Sequence, residues 1–372
     1  MQHHSVYLFL SLLLMGCTAA PEALNVKDFG AVEDADCTQA IQSALDACAG
    51  QGGGRVLVPA GHFESRTLYL RDGVELYLEE GAVLQGVEDP DAYEPYIPSD
   101  DLTRFDSGNG TANANCVNDR QWMKALIIGD GVKDAAIGGK GTLDGAHVFD
   151  ARGEEGMRGP HTIIVACAEG FRLWGITVRR ASNYAFLGYA LDAPVFEDLT
   201  ILEGWDGIHV RGADNAVIRR CRLSTGDDCI AGGYWNHMLI EDCDINSSCN
   251  GIRMIMPSDG VEVRHCHFRG PGDYPHRTSG EARRNNMLFG IALEPGAWGT
   301  ATGTARGIWL HDLTMTGLSD PVATSVRDGS EALDLTLQNI KATDIKGALI
   351  PVVSWNDNGF RQVAIDNCTL SR

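Results

Sequence analysis

From about residue 170 onward the chain repeats a short pattern of hydrophobic and polar positions: FRLWGITV, VFEDLTIL, AVIRRCRL, HMLIEDCDI, GVEVRHCHF, GIWLHDLTM, LDLTLQNIKA and QVAIDNCTL. Within each unit apolar and polar residues alternate at period two, as in a strand with one buried face. Leu199, Cys221, Cys243 and Cys266 hold equivalent places, at steps of 22, 22 and 23 residues. No unit has the 3.6-residue spacing of an amphipathic helix, which excludes helical repeats. The LxxLxL of leucine-rich repeats is missing, and a propeller blade needs ~40–45 residues. Short strands joined by Gly, Asn and Asp bends in rungs of this length predict an all-β fold, a single-stranded right-handed parallel β-helix. Equivalent positions then stack about 4.7–4.9 Å apart. The Cys column becomes an interior ladder, with Asn339 and Asn367, one residue before it, in a neighbouring polar one.

The first third reads differently. In Thr38 to Ala49, Ile41, Ala44, Leu45 and Cys48 share one helical face. This predicts an N-terminal capping helix over the open end of the coil, where a bare rung would be an aggregation-prone sheet edge. Gly50 to Gly54 ends the helix and RVLVPAG begins the first strand. Ser99 to Cys116, Asp150 to Pro160 and residues 270 to 287 are polar, Gly-bearing stretches read as loops over a groove, the last locally basic. No linker interrupts residues 18–372, read as one β-helix domain. Val6 to Met15 is an uncharged apolar run, too short to span a bilayer but suited to a signal-peptide core. It ends in Leu14-Met15-Gly16-Cys17, which resembles a bacterial lipobox, although residues 1 to 5 lack Lys and Arg. Residues 1–17 are therefore expected to be a signal peptide with a lipid anchor at Cys17, and the protein to be secreted or held in the cell envelope of a bacterium.

Composition changes the picture in three ways. Gly at 44 of 372 residues, about 12% against a usual ~7%, fits many tight turns. Fifty acidic against thirty basic residues give a formal charge of -20, which repels nucleic acid and anionic lipid. Ten cysteines besides Cys17 suggest some disulfides in an exported protein, with Cys229 and Cys243 or Cys249 the first pair to consider. No paired CxxC, HExxH or calcium-loop spacing occurs, so neither metal nor cofactor is expected. Nothing points to an obligate partner chain, and a monomer is expected.

The candidate chemistry sits in two bends. Asp206 and Asp228 are separated by 22, the rung step, so Gly204-Trp205-Asp206-Gly207 and Gly226-Asp227-Asp228-Cys229 stack three carboxylates. A Gly-Asp-Asp turn alone is ordinary bend chemistry, but stacked like charges cost stability and raise at least one pKa, which marks functional sites. One further step reaches Asn250. Three positions beyond each of these lie His209, Ala231 and Arg253. With Ile208, Ile230 and Ile252 in the core, His209 and Arg253 point outward beside the carboxylates and become, with Asn250, candidate substrate contacts.

Here the chain resembles the polygalacturonase-type glycoside hydrolases, family 28, which are β-helical enzymes. The similarity covers nearly all of residues 18–372. VKDFGAVEDADCTQAIQSALDACAGQGGGRVLVPAG, LYLRDGVELYLEEGAVLQG and GKGTLDG carry the fold, and WDGIHVRGADNAVIRRCRLSTGDDCIA carries the chemistry. The resemblance implies that Asp206 and Asp228 activate a water while Asp227 is the acid, its pKa raised by two anionic neighbours, with inversion at the anomeric carbon. It also shows departures. The family's Asn-Thr-Asp reads Gly204-Trp205-Asp206, its Gly-His-Gly reads Cys249-Asn250-Gly251, and its Arg-Ile-Lys falls on Ala292-Leu293-Glu294. The lost basic pair is the one that the family uses on a uronate carboxylate. The expected activity is therefore hydrolysis of a pectin-related polysaccharide or oligosaccharide, with plain polygalacturonate a poor substrate. Two alternatives remain: a polysaccharide lyase of the same fold, and a non-catalytic glycan-binding lipoprotein.

Overall fold

The computed structural model describes residues 23–106, 116–299, 301–327, 329–350 and 359–372. The apolar run Val6 to Met15 and the lipobox Cys17 lie outside them. Among the described residues, 29 strands join one continuous sheet, and every strand pair is parallel. One coil comprises the strands Phe186–Asp192, Val195–Glu197 and Thr200–Leu202, and the next Ile208–Asp214, Val217–Arg219 and Arg222–Thr225. The coil is thus a parallel β-helix.

Three apolar columns fill the interior. One runs Leu68, Ile127, Ile163, Phe186, Ile208, Ile230, Ile252, Ile291, Val322, each paired in register with the next and each at most 1% exposed. A second passes through Leu173, Phe196, Ile218, Ile240 and Val263. The third passes through Val178, Ile201, Leu223, Ile245 and Phe268. Full burial of each such side chain contributes about 1.5–3 kcal/mol, so the columns carry the stability.

Leu199, Cys221, Cys243 and Cys266 are buried at equivalent places, as their spacing predicts. The residue before each member of this column adopts a left-handed conformation: Asp198, Arg220, Asp242 and His265, then Asp312, Asn339 and Asn367. Asn and Asp tolerate that conformation best. The Asn ladder forms on this bend, with Asn367 Nδ2 donating to Asn339 Oδ1 (2.7 Å) and Asn339 Nδ2 to Asp312 Oδ1 (2.9 Å).

The capping helix spans Thr38–Gly50 and buries Ile41, Ala44, Leu45 and Cys48. Gln42 takes over a strand's hydrogen bonding: its Nε2 donates to the Tyr69 carbonyl and its Oε1 accepts the Tyr69 N–H. The first rung starts earlier than RVLVPAG, because Leu24–Asn25 already pairs with Gly54–Val58. All ten described cysteines are free, which corrects the expectation of disulfides. Cys229 is in the core with its Sγ 3.1 Å from the Asn246 carbonyl, and Cys243 stands in the ladder.

A second apolar cluster lies outside the coil. Trp122, Met123, Tyr184, Tyr189, Trp205 and Ile164 pack with Tyr96, Leu102, Phe105 and Val117 against the outer face of the sheet. It forms the wall beside the carboxylate bends.

Candidate active site

The two Asp bends lie on consecutive rungs because the strands that follow them pair Ile208 with Ile230. Glycine lets them approach. A Cβ on Gly207 would lie 2.5 Å from the Cys229 carbonyl oxygen, and one on Gly226 2.5 Å from that of Gly204. Each of Asp206, Asp227 and Asp228 then has a carboxylate oxygen within 4.8 Å of the other two. The trio lines a cavity of about 540 Å³ with Tyr184, Cys249, Arg253, His276 and Trp298, a size typical of small-ligand sites.

Asp206 is 4% exposed. Its Oδ1 accepts the Asp228 N–H at 3.3 Å, and its Oδ2 lies 2.7 Å from His209 Nδ1. Arg211 Nε donates to His209 Nε2 at 3.3 Å. Arginine can only donate, so Nε2 is the bare nitrogen and Nδ1–H donates to Asp206. Tyr184 stacks on the His209 ring at 4.6 Å and 7°, and Trp298 covers it at 5.8 Å and 20°. His209 does point away from the core, as the alternation predicts. It is nevertheless fully buried and occupied on both nitrogens, so it positions Asp206 rather than touching substrate.

Asn250 stacks above Asp228 as expected, its Nδ2 donating to Asp228 Oδ1 at 2.7 Å. It too acts through a carboxylate. Arg253 alone of the three candidate contacts lines the cavity. Its Nη1 is 3.7 Å from Asp228 Oδ2, and its Nε donates to Glu294 Oε2 at 2.9 Å. Glu294 stands where the resemblance implies a basic residue, and it balances Arg253.

Loops supply what the repeat does not. Arg158, from the Asp150 to Pro160 loop, is buried with its guanidinium 3.9 Å over the Trp205 ring and 3.4 Å from Asp227 Oδ2. His276, from the 270 to 287 loop, places Nε2 3.5 Å from Asp227 Oδ1. Both loops border the cavity as excursions over the groove. Arg277 and Arg283 face a second cavity beyond His276, beside His147 and Glu203.

These loop groups reverse the expected order of pKa values. Burial would raise Asp227, but His276, Arg158 and Arg253 together hold it well below the usual carboxylate range. Burial, and then Asp227, push Asp228 up to about 6 against Arg253 and Asn250. Burial with the charges of Asp227 and Asp228 puts Asp206 well above its ordinary value. These shifts favour Asp227 as the anion and a proton on the Asp206–Asp228 pair.

Residues 162–310 match the family described as "Right handed beta helix region". An exo-poly-alpha-D-galacturonosidase of Dickeya chrysanthemi is 27% identical over 257 residues, 57% of this chain and 42% of that protein. The chain thus spans less than half the length of that relative. A family 28 exopolygalacturonase structure from Yersinia enterocolitica superposes with TM-score 0.64 at 18% identity, covering 95% of this chain and 72% of the other. A polygalacturonase from Erwinia carotovora gives 0.63 at 16%, covering 96% and 100%. The fold is a right-handed parallel β-helix, and the chain is similar, at low identity, to polygalacturonases.

Proposed function

We propose that this protein hydrolyses O-glycosidic bonds of a pectin-type polysaccharide or oligosaccharide with Asp206, Asp227 and Asp228. The observation that carries the reading is the stacking of three carboxylates from consecutive rungs on the floor of one cavity, with the Asp206–Asp228 pair holding its proton above the ordinary carboxylate range. Glycoside hydrolysis needs both a proton for the leaving oxygen and an anionic carboxylate to activate water. The trio holds both. A lyase would need a strong base beside a cation that neutralises a uronate, and Arg253 is already taken up by Glu294 and Asp228. A binder has no use for buried like charges, which only cost stability.

The resemblance makes Asp227 the proton donor, with Asp206 and Asp228 sharing the water and the product anomer inverted. The resting charges favour a second reading, in which Asp228, at about 6, donates. A nitrophenyl glycoside separates them, because a good leaving group needs no acid. The donor's Asp→Asn variant regains turnover on that substrate, and the base's variant stays inactive. If neither variant loses activity on the natural polymer, both readings fail.

The substrate is expected to bear no free carboxylate at the cleaved residue. The cavity wall carries six acidic side chains, including Asp119, Glu154 and Glu155, against Arg152, Arg158 and Arg253. A uronate would be desolvated there without an unpaired cation to receive it. Comparing kcat/KM on polygalacturonate and on neutral pectic side chains checks this; a preference for the polyanion that Arg253→Ala abolishes would contradict it. Export with a lipid anchor at Cys17 belongs to the same proposal, supported by the run Val6 to Cys17, and the mass of the mature N-terminus tests it.

A further inference from the structure

We propose that Asp227, Cys249 and His276 form a site for one zinc-class divalent cation inside the catalytic cavity, and that its occupation switches the hydrolase off. The switching rests on the proposed function; the binding does not.

The three side chains bring a carboxylate oxygen, a thiol sulfur and an imidazole nitrogen within 4.8 Å of one another, and all three line the cavity. Mixed O, N and S donors suit zinc and its neighbours, whereas magnesium and calcium require oxygen. Asp227 Oδ1 and His276 Nε2 are already 3.5 Å apart, near the ~3.3 Å separation of two ligands ~2.0 Å from one tetrahedral ion. The site is also held in place. Ser247 Oγ donates to the Asp227 carbonyl at 2.6 Å and accepts the Cys249 N–H at 2.7 Å, tying the two bends together. The His276 backbone N–H donates to the Arg284 carbonyl at 2.7 Å, and its ring meets Trp205 edge-on at 6.1 Å.

Charge around the site favours a cation. Asp206, Asp228 and Glu154 join Asp227 in the same cavity, against the guanidinium groups of Arg158 and Arg253. Hydrolysis by the trio makes no use of a thiol, yet Cys249 borders it. A bound ion would ligate Asp227, withdraw it from the acid–base cycle in either role, and fill space beside the leaving oxygen. Three protein ligands leave the fourth position to water.

The test is titration of the metal-free protein with Co²⁺ and then Zn²⁺. One Co²⁺ per chain should bring a thiolate-to-cobalt charge-transfer absorption that Zn²⁺ displaces. Cys249→Ser and Cys249→Ala should both lose that absorption, and His276→Ala should weaken binding at least tenfold. Zn²⁺ should lower wild-type turnover at least tenfold, with recovery on chelation, and the ratio of rates with and without zinc should approach one in Cys249→Ser. An active enzyme with no thiolate band, or a band that persists without Cys249, overturns the site and leaves the hydrolase reading intact. A full band on a protein that turns over no glycan upholds the site and overturns the hydrolase.

Discussion

Asp228 owes its raised pKa first to burial and then to its neighbour Asp227, so its titration reports whether the trio behaves as a unit. In Asp227→Asn the neighbouring anion is gone, and the Asp228 value should fall from about 6, as followed by the pH dependence of the carboxyl stretch in infrared spectra. Turnover on the polymer should drop by about 10²–10⁴, the usual worth of positioned acid–base catalysis. Arg158→Ala acts in the opposite direction on Asp227: removing a cation raises its pKa. His209→Ala should lower kcat roughly tenfold or more with little change in KM, because it loosens a carboxylate rather than a substrate contact; a larger change in KM than in kcat would return His209 to substrate binding. Asp206, Asp227, Asp228 and Asn250 were legible in the sequence because the rung step of 22 fixes which residues stack. The role of His209 was not legible, since alternation shows that it leaves the core but not that Tyr184 and Trp298 cover it. Arg158 and His276 sit in loops, where no register exists to place them.

At the scale of the rung, the account of stability rests on columns, and Ile230 occupies the middle of one, between Ile208 and Ile252 and two residues after Asp228. Ile230→Ala should cost about 2–5 kcal/mol, measured by denaturant unfolding, and should disturb turnover as well. Cys243→Asp should cost several kcal/mol or abolish folding, since a charge in the ladder has no partner; a normally folded variant would mean that the column faces solvent. The ladder was readable because four equivalent positions carry Leu or Cys at one spacing. The left-handed bends were not, because Asp198 and Asp242 alternate with Arg220 and His265, which carry no turn signal. The first third hid its rungs for a different reason: the described residues between Gly86 and Ala125 form no strand of the coil, so Leu84 and Leu143 stack with a long insertion between them.

For the whole molecule, the active site should appear in the pH dependence of stability. Asp228 has an ordinary value of 3.8 and a folded value of about 6, so the folded state holds this proton more tightly than the unfolded chain. Its contribution is complete below about 4 and is lost as pH climbs through about 6, on the order of 3 kcal/mol. Asp228→Asn should flatten that part of the curve and be more stable than wild type at pH 7, though inactive. The charge of -20 adds a long-range effect: added salt should raise kcat/KM on an anionic polymer by screening repulsion and leave it unchanged on a neutral one. The central claim is that the stacked carboxylates cleave a glycosidic bond by adding water. Proton NMR of a pectic oligosaccharide digest followed from the first minutes tests it most directly. Wild type should release a new reducing end whose first anomer is inverted, with no unsaturated sugar, and Asp227→Asn, correctly folded, should release it about 10²–10⁴ times more slowly. An unsaturated product, a retained anomer, or undiminished release by the variant would contradict it.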